Sequence, residues 1–170
     1  MECDERRHAR EILQIFNHEI ATSTSIYEYQ PRTTDDMRAW FADRRGGGAP
    51  VLGLLAPDGR LAGFGTFGVF RAKPAYKYTV EHSIYVHREH RGRGAGRRLL
   101  AELIAAAQAR GVHVMVGAID AANGASIALH EAAGFRHAGT IAEAGFKFGR
   151  WLDLALYQLV LEGPEEPVDG

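Results

Sequence analysis

The segment Arg91-Gly92-Arg93-Gly94-Ala95-Gly96 combines arginines with glycines in a pattern that suits anion binding. Residues 80–86 before it are rich in β-branched and aromatic side chains and predict a strand. Residues 97–110 after it carry apolar side chains at helical spacing. A glycine-rich turn that leads into a helix leaves backbone N–H groups free, and the helix dipole adds partial positive charge there. The segment therefore predicts an anion site, with a tight turn and a solvated basic face as the alternative.

Two familiar phosphate-binding patterns do not fit this turn. A P-loop requires Gly-Lys-Ser/Thr, but Arg97 follows Gly96. The dinucleotide fingerprint requires a third glycine, and the matching position holds Arg97 or Leu99, depending on the glycine from which the count starts. Uncompensated positive charge near a helix N-terminus opposes the dipole, and an anionic ligand would remove that conflict. The arginines around the turn are Arg91, Arg93, Arg97 and Arg98.

Apolar periodicity and turn residues predict the elements that position this segment. Asp4 is the expected cap of a first helix, which ends at the polar residues 22–25, and residues 33–36 start a second helix that stops at residues 46–48. Residues 26–29 look extended, and residues 71–78 form a basic, aromatic loop. Asn123 starts a further helix with Ile127, Ala128 and Leu129 facing inward. Strands are predicted at residues 51–56, 61–70, 80–86, 112–119, 135–141 and 151–161, with a loop at 145–150.

The order of these elements predicts an α/β fold. The first two strands flank the turn residues Pro57-Asp58-Gly59 and form an antiparallel hairpin. A helix lies between strands 80–86 and 112–119, so these two strands are expected to run parallel. We therefore expect one mixed sheet with helices on both faces. The length of 170 residues fits one domain spanning residues 1–170, whose polar tail at 162–170 is expected to be loose.

Composition excludes several classes of function. Lys and Arg number 20 against 21 Asp and Glu, so no overall charge favours nucleic acid or an anionic membrane as a partner. Cys3 is the single cysteine, which excludes an internal disulfide and fits a reducing compartment. The N-terminus lacks a signal-peptide pattern and no apolar run could span a bilayer, so a cytoplasmic protein is expected. No metal is expected, because Gly134 stands where a zinc motif starting at His130 needs its second histidine.

Two motifs resemble those of a known family. The spacing Arg91-x-x-Gly94-x-Gly96 is similar to the coenzyme-binding motif of the GNAT acetyltransferases, and residues 123–135 resemble the second half of that signature. Residues 78–86, 113–116 and 145–153 resemble the phosphinothricin and methionine sulfoximine N-acetyltransferase subgroup, and the resemblance runs from about residue 12 to residue 161. It implies a three-layer α-β-α fold with a central mixed, mostly antiparallel sheet. It also implies acetyl-CoA as donor, an amino-acid-like amine as acceptor, and a homodimer.

The resemblance assigns the donor to the strand, the turn and the downstream motif. The pyrophosphate of coenzyme A suits the N–H groups of the turn, and the backbone of the strand pairs with the pantetheine amides. A backbone N–H of that strand would polarise the thioester carbonyl. Asn123 is expected to contact pantetheine, which is compatible with its role as a helix cap. The residues expected to bind the coenzyme are Ile84, Tyr85, Val86, Arg91, Gly92, Arg93, Gly94, Ala95, Gly96, Arg97, Asn123 and Ser126.

Glu81 is the expected catalytic base, because the subgroup's base falls at this position. The ammonium of an amino acid must lose a proton before it attacks, and a carboxylate takes that proton directly or through water. The alternative is a surface glutamate on an edge strand. The alternating strand places Thr79, Glu81, Ser83 and Tyr85 on one polar face, expected to line the cleft, and Val80, His82, Ile84 and Val86 on the other.

His130 occupies the position at which many acetyltransferases carry a tyrosine as general acid. An imidazole there would protonate the leaving thiolate, or form a hydrogen bond with the sulfur or pantetheine. The alternative is a helix histidine packed beside the coenzyme.

Arg71 and Lys73 fall in the loop that matches the subgroup's acceptor-binding segment. Cations there suit a substrate with a carboxylate and a second polar head. Lys73 departs from the apolar or aromatic residue expected at its position, and a solvated loop is the alternative for both. The residues expected to bind the acceptor are Arg71, Lys73, Glu81, His82 and Ser83. Phe148 and Trp151 would wall the acceptor pocket, in a homodimer from the partner, or belong to the core.

Other functions compete with this interpretation. The acceptor amine would differ in an acetyltransferase for a protein N-terminus, a polyamine or an aminoglycoside, although the basic loop at 71–77 argues against cationic acceptors. A protein of another class would bind acyl-CoA as a sensor without catalysis. The presence of Glu81 and His130 argues against a sensor.

Overall fold

The computed structural model describes residues 1–169 and arranges them as helices around one sheet. Short 3₁₀ helices at Pro74–Tyr76 and Arg88–His90 flank the third strand. The α-helices are α1 (Glu5–Thr22), α2 (Thr34–Gly46), α3 (Ala95–Gln108) and α4 (Gly124–Ala132). The strands are β1 (Val51–Leu55), β2 (Leu61–Val69), β3 (Thr79–Val86), β4 (Val114–Asp120), β5 (Arg136–Lys147) and β6 (Arg150–Val160).

The strands form one sheet in the order β1-β2-β3-β4-β6-β5. β3 and β4 are parallel, with Thr79 opposite Val114 and His82 opposite Gly117, and the other neighbouring pairs of described strands are antiparallel. The helix between β3 and β4 carries the chain back to the same end of the sheet, which parallel pairing requires. The prediction of a mixed, mostly antiparallel α/β sheet is confirmed.

Helices cover both faces of the sheet. On one face, Phe16 of α1 and Phe41 of α2 belong to the same buried cluster as Phe64 of β2. On the other face, Leu103 of α3 is buried with Met115 of β4. Each helix turns one apolar stripe to the sheet, as its periodicity predicts. The three-layer α-β-α arrangement is confirmed.

Local capping sets where the helices begin. The Asp4 side chain accepts a hydrogen bond from the Arg7 N–H at 2.9 Å, and Thr33 forms a capping box with Asp36. Asn123 accepts from the Ser126 N–H at 3.1 Å and so starts α4, as predicted.

The last two strands are longer than predicted. β5 continues beyond residue 141 to Lys147, so most of the predicted loop at 145–150 is strand. A bulge between Ile141 and Gly145 lets β5 bend and continue. The hairpin then closes with two residues of positive φ, Phe148 at 51° and Gly149 at 74°, a geometry that matches the twist of paired strands.

Other differences are small. Residues 26–29 form no strand, and Ile26 and Tyr29 lie in bends. α3 begins at Ala95, two residues before the predicted start, since Gly94 supplies the turn. Ala128 is exposed, so its inward orientation was wrong, whereas Ile127 and Leu129 are half-buried.

The end of the chain follows β6 without further regular structure. Residues 162–169 form no helix or strand, and Gly170 lies outside the described residues. None of the described helices has the length and apolar character needed to cross a membrane.

Candidate active site

A cavity of about 700 Å³ opens where β3 and β4 separate. Their pairing ends at His82 and Gly117, and beyond that point β3 continues beside β2 while β4 continues beside β6. Residues 83–86 and 118–120 therefore line opposite walls of a cleft in the sheet. Because these segments no longer pair with each other, backbone groups of both are free to bind a ligand.

The glycine turn forms one end of this cavity. Gly94 caps α3 in the left-handed conformation, with φ of 82°, and no side chain caps the helix. The first N–H groups of α3 consequently have no partner within the helix. Gly92, Gly94, Ala95 and Gly96 all line the cavity, so these donors face the space where a ligand would bind.

Arg91 is engaged within the protein. Its guanidinium donates to the carboxylate of Glu19, whose side chain is 6% exposed, and its Nε donates to the Val86 carbonyl at 3.2 Å. The expectation of uncompensated arginines around the turn is therefore wrong for Arg91. The Arg91 side chain thus links the turn to α1 through Glu19 and to the end of β3 through Val86.

Glu81 lies at the other end of the cavity. Its side chain is exposed there, yet the surrounding protein withdraws enough water from the carboxylate to raise its pKa above the ordinary value. Ser83 and Tyr85, on the same face of β3, also line the cavity. His82, Ile84 and Val86 line it as well. The expectation that one face of β3 lines the cleft was incomplete, because the strand lies at the edge of an opening and presents both faces.

His82 and His130 meet inside the cavity. Both are 5% exposed, and their Nε2 atoms lie 2.9 Å apart. Nδ1 of His82 faces the Val116 carbonyl at 2.8 Å, and Nδ1 of His130 faces the Ser126 carbonyl at 2.6 Å. Burial lowers the pKa of both imidazoles, that of His82 to about 3.

The segment between α1 and α2 closes one side of the cavity, and three hydrogen bonds with the β5–β6 hairpin hold it there. The buried Lys147 donates to the Ser23 carbonyl at 2.9 Å and to the Ile26 carbonyl at 2.6 Å. Tyr29 donates its hydroxyl to the Phe146 carbonyl at 2.6 Å. The hairpin therefore fixes the wall that residues 23–28 form.

Asp120 is a second carboxylate in the cavity. Its side chain is 3% exposed, and it accepts hydrogen bonds from the Thr24 hydroxyl and from the Ala122 N–H. Arg150 lies 3.6 Å away. Asp120 thus connects the end of β4 to the segment between α1 and α2 and to the hairpin.

The model of the Acetyltransferase (GNAT) family matches residues 12–135. The chain belongs to this family. An L-methionine sulfoximine/L-methionine sulfone acetyltransferase of Salmonella typhimurium is 42% identical over 156 residues, which cover 92% of this chain and 91% of that protein. The L-amino acid N-acyltransferase MnaT of Escherichia coli is also 42% identical over 156 residues, covering 92% of this chain and 90% of that protein. Among solved structures, a GNAT phosphinothricin acetyltransferase from Sinorhizobium meliloti in complex with AcCoA superposes with a TM-score of 0.94 at 35% identity, covering 100% of this chain and 92% of that one.

Most of the residues expected to serve this GNAT acetyltransferase lie around one cavity. The predicted residues that line it are Glu81, His82, Ser83, Ile84, Tyr85, Val86, Arg91, Gly92, Gly94, Ala95, Gly96, Asn123, Ser126 and His130. Four predicted residues stay outside its lining in the described chain, namely Arg71, Lys73, Arg93 and Arg97. All four are exposed.

Sequence reasoning missed several residues of the cavity. Glu19, Arg32 and Asp120 line it, and none belongs to a motif. The polar run at 22–25 predicts only a helix stop, although Ser23, Thr24 and Ser25 also line the cavity. Phe148 and Trp151 are 58% and 59% exposed, so their assignment to the core is excluded. Among residues 1–169, no group of three His, Cys, Asp or Glu side chains is placed to hold a metal ion.

Proposed function

We propose that this GNAT chain transfers the acetyl group of acetyl-CoA to the primary amine of an amino-acid-like small molecule. The observation that carries the proposal is one continuous cavity with the free N–H groups of the turn at one end and Glu81 at the other. An anionic donor and an amine acceptor can then meet where β3 and β4 separate.

The donor end fits a coenzyme with a pyrophosphate. The uncapped start of α3 offers N–H groups to the phosphates, and each such contact contributes about 0.3–1 kcal/mol. Ile84 to Val86 offer the unpaired side of β3 to the pantetheine amides. Asn123 caps α4 and also lines the cavity, so capping and a contact with pantetheine are compatible.

At the acceptor end, Glu81 acts as the base. Its raised pKa keeps it a better proton acceptor than an ordinary surface carboxylate. It removes a proton from the ammonium, directly or through water, so that the neutral nitrogen attacks the acetyl carbon. His130 serves the leaving thiolate.

The names of the relatives favour an amino acid as acceptor. Those proteins are named for methionine sulfoximine, methionine sulfone, L-amino acids and phosphinothricin. The acceptor's carboxylate would be recognised by Arg71 and Lys73. These two residues lie outside the cavity lining of the single chain, so this step requires a movement of their loop or a second copy.

A homodimer would also give a role to the tip of the β5–β6 hairpin. Phe146, Phe148 and Trp151 are exposed together at this tip, with the rings of Phe146 and Trp151 5.1 Å apart. A cluster of exposed aromatic side chains favours association with another protein surface. We assign this cluster to a second copy of the chain, whose pocket Phe148 and Trp151 would border. A cytoplasmic location stays a prediction of the sequence.

The decisive experiment measures thiol release from acetyl-CoA over a panel of amines. The panel contains methionine sulfoximine, methionine sulfone, phosphinothricin and free amino acids, with spermidine, an aminoglycoside and a peptide N-terminus as contrasts. We expect release with the amino-acid-like members. Release only with a contrast amine would overturn the acceptor class. Coenzyme binding without release for any amine would overturn catalysis and favour a sensor.

A further inference from the structure

The two buried histidines are joined in a chain of three contacts of hydrogen-bonding length. Each Nδ1 faces a backbone carbonyl, at 2.8 Å for His82 and Val116 and at 2.6 Å for His130 and Ser126. The two Nε2 atoms face each other at 2.9 Å. Every ring nitrogen of the pair therefore has a partner within hydrogen-bonding distance.

Counting protons along this chain gives an unusual result. A carbonyl only accepts, so each Nδ1 must carry a hydrogen to satisfy its contact. The contact between the Nε2 atoms needs one hydrogen as well, because two lone pairs at that distance repel. The full set of hydrogen bonds thus needs three protons, whereas two neutral imidazoles carry two. The pair has a place for one proton more than its neutral form holds.

Burial opposes the permanent presence of that extra proton. The pKa of each imidazole is lowered because water is withdrawn from it, and within residues 1–169 no carboxylate forms an ion pair with either ring. The charged groups on the surrounding elements have other positions or partners. Glu81 of β3 lies on the opposite face of the strand, Asp120 of β4 is bonded to Thr24, and Glu131 of α4 accepts from Tyr157 at 3.3 Å. The extra proton, once bound, is readily given away.

We infer that His82 and His130 work as a single unit, which takes up one proton between their Nε2 atoms and releases it again in each turnover. This inference rests on the proposed acetyl transfer and assigns to His82 a positioning role for His130. During the reaction, the amine nitrogen bonds to the acetyl carbon and passes one proton to the pair. The carbon–sulfur bond then breaks, the thiolate takes that proton, and the pair returns to its starting state.

Gly117 explains how the rings approach so closely. A Cβ at this position would lie 3.1 Å from Cε1 of His82 and 3.2 Å from Cδ2 of His130. Phe135 packs against both rings, with centroid distances of 5.3 Å to His82 and 5.2 Å to His130. An alanine at residue 117 would push the rings by a few tenths of an ångström while keeping both histidines. Gly117→Ala is therefore a variant that disturbs the contact between the two Nε2 atoms while both histidines remain in the chain.

The first test is nuclear magnetic resonance of the protein labelled with ¹⁵N-histidine, without substrate, over the range of pH in which the protein stays folded. As the pH is lowered and the pair takes up its one extra proton, we expect a scalar coupling to appear across the hydrogen bond between Nε2 of His82 and Nε2 of His130. The exposed His137 serves as the uncoupled control. Two rings that bind protons independently of each other, or that never hold a proton between their Nε2 atoms while the protein is folded, would overturn the inference. Because no substrate is present, this result is independent of whether the proposed acetyl transfer is correct.

The second test compares His82→Gln and Gly117→Ala with His137→Gln in steady-state kinetics. For His82→Gln we expect kcat to fall at least about tenfold, less than the ~10²–10⁴-fold cost of losing an acid or base. The KM for acetyl-CoA should stay within about twofold, and the pH profile of kcat should shift. A smaller effect in the same direction is expected for Gly117→Ala. Unchanged kcat and pH profile in a folded His82→Gln would refute the positioning role, even if the wild-type protein acetylates the panel as proposed.

Discussion

Arg91 at the glycine turn donates to the buried carboxylate of Glu19, 72 residues earlier in the chain. Glu19 also accepts from the Ser23 hydroxyl at 2.8 Å, at the end of α1. The arginine of the coenzyme motif thus has a structural partner on the first helix. This contact fixes the turn relative to the wall formed by residues 23–28.

Arg91→Met should destabilise the protein, because it leaves the Glu19 carboxylate buried without its cation. The expected loss is about 1–3 kcal/mol in the free energy of unfolding, measured by denaturant titration. Adding Glu19→Gln should recover part of that loss. Arg93→Met, a change in an exposed arginine of the same turn, is the matched control. Equal stability of Arg91→Met and Arg93→Met would contradict the role of this ion pair.

Glu81→Gln should lower kcat by ~10²–10⁴-fold if Glu81 is the base. The wild-type rate should rise with pH, because the base works only when deprotonated, and the rise should centre above the ordinary glutamate pKa since the pKa of Glu81 is raised. The variant should lose this limb of the pH profile. Glu162→Gln, in the exposed tail, is the control. Near-normal turnover of Glu81→Gln at neutral pH would exclude Glu81 as the base.

The sequence predicts the local parts of this site well. The strand, the glycine turn and α3 follow each other directly in the sequence. Their apolar periodicity and their turn-forming glycines can therefore be recognised within a short stretch of residues. Asn123 is likewise recognised as a cap from its position before an apolar run. Each of these features depends on neighbours in sequence, so pattern reasoning reaches it.

The features of the site that depend on residues distant in the chain are not predicted from the sequence. Pairing between Arg91 and Glu19 requires α1 to pass beside the turn, and nothing near either residue indicates this. The alternation of side chains along β3 predicts that only one face of the strand lines the cleft. The separation of β3 from β4, which exposes both faces, depends on the assembled sheet and cannot be inferred from that alternation. The predicted loop at 145–150 contains the hairpin turn but is too long, because a bulky residue such as Phe148 with φ of 51° is uncommon and sequence patterns give it little weight.

Lys147→Met should loosen the wall of the cavity. The buried ammonium group donates to the Ser23 and Ile26 carbonyls, and methionine would leave both acceptors unsatisfied. We expect a loss of about 1–3 kcal/mol in unfolding free energy and a higher KM for the acceptor. Lys77→Met, an exposed lysine in the loop before β3, controls for the loss of charge. A normal KM together with reduced stability would show that Lys147 supports the fold without shaping the acceptor site.

If the chain forms the proposed homodimer, Phe148→Ser and Trp151→Ser should convert it into monomers. Both side chains are more than half exposed at the hairpin tip, and a second copy that covers them would gain the apolar contact. Light scattering coupled to size-exclusion chromatography measures the change in mass. Val160→Ser is the matched control, because Val160 is 58% exposed on β6 but lies at the opposite end of the strand from the tip. If Phe148 and Trp151 border the partner's pocket, acceptor KM should rise in both hairpin variants and stay unchanged in Val160→Ser. A wild-type protein that is monomeric at assay concentration would refute the dimer and, with it, this use of the two aromatic side chains.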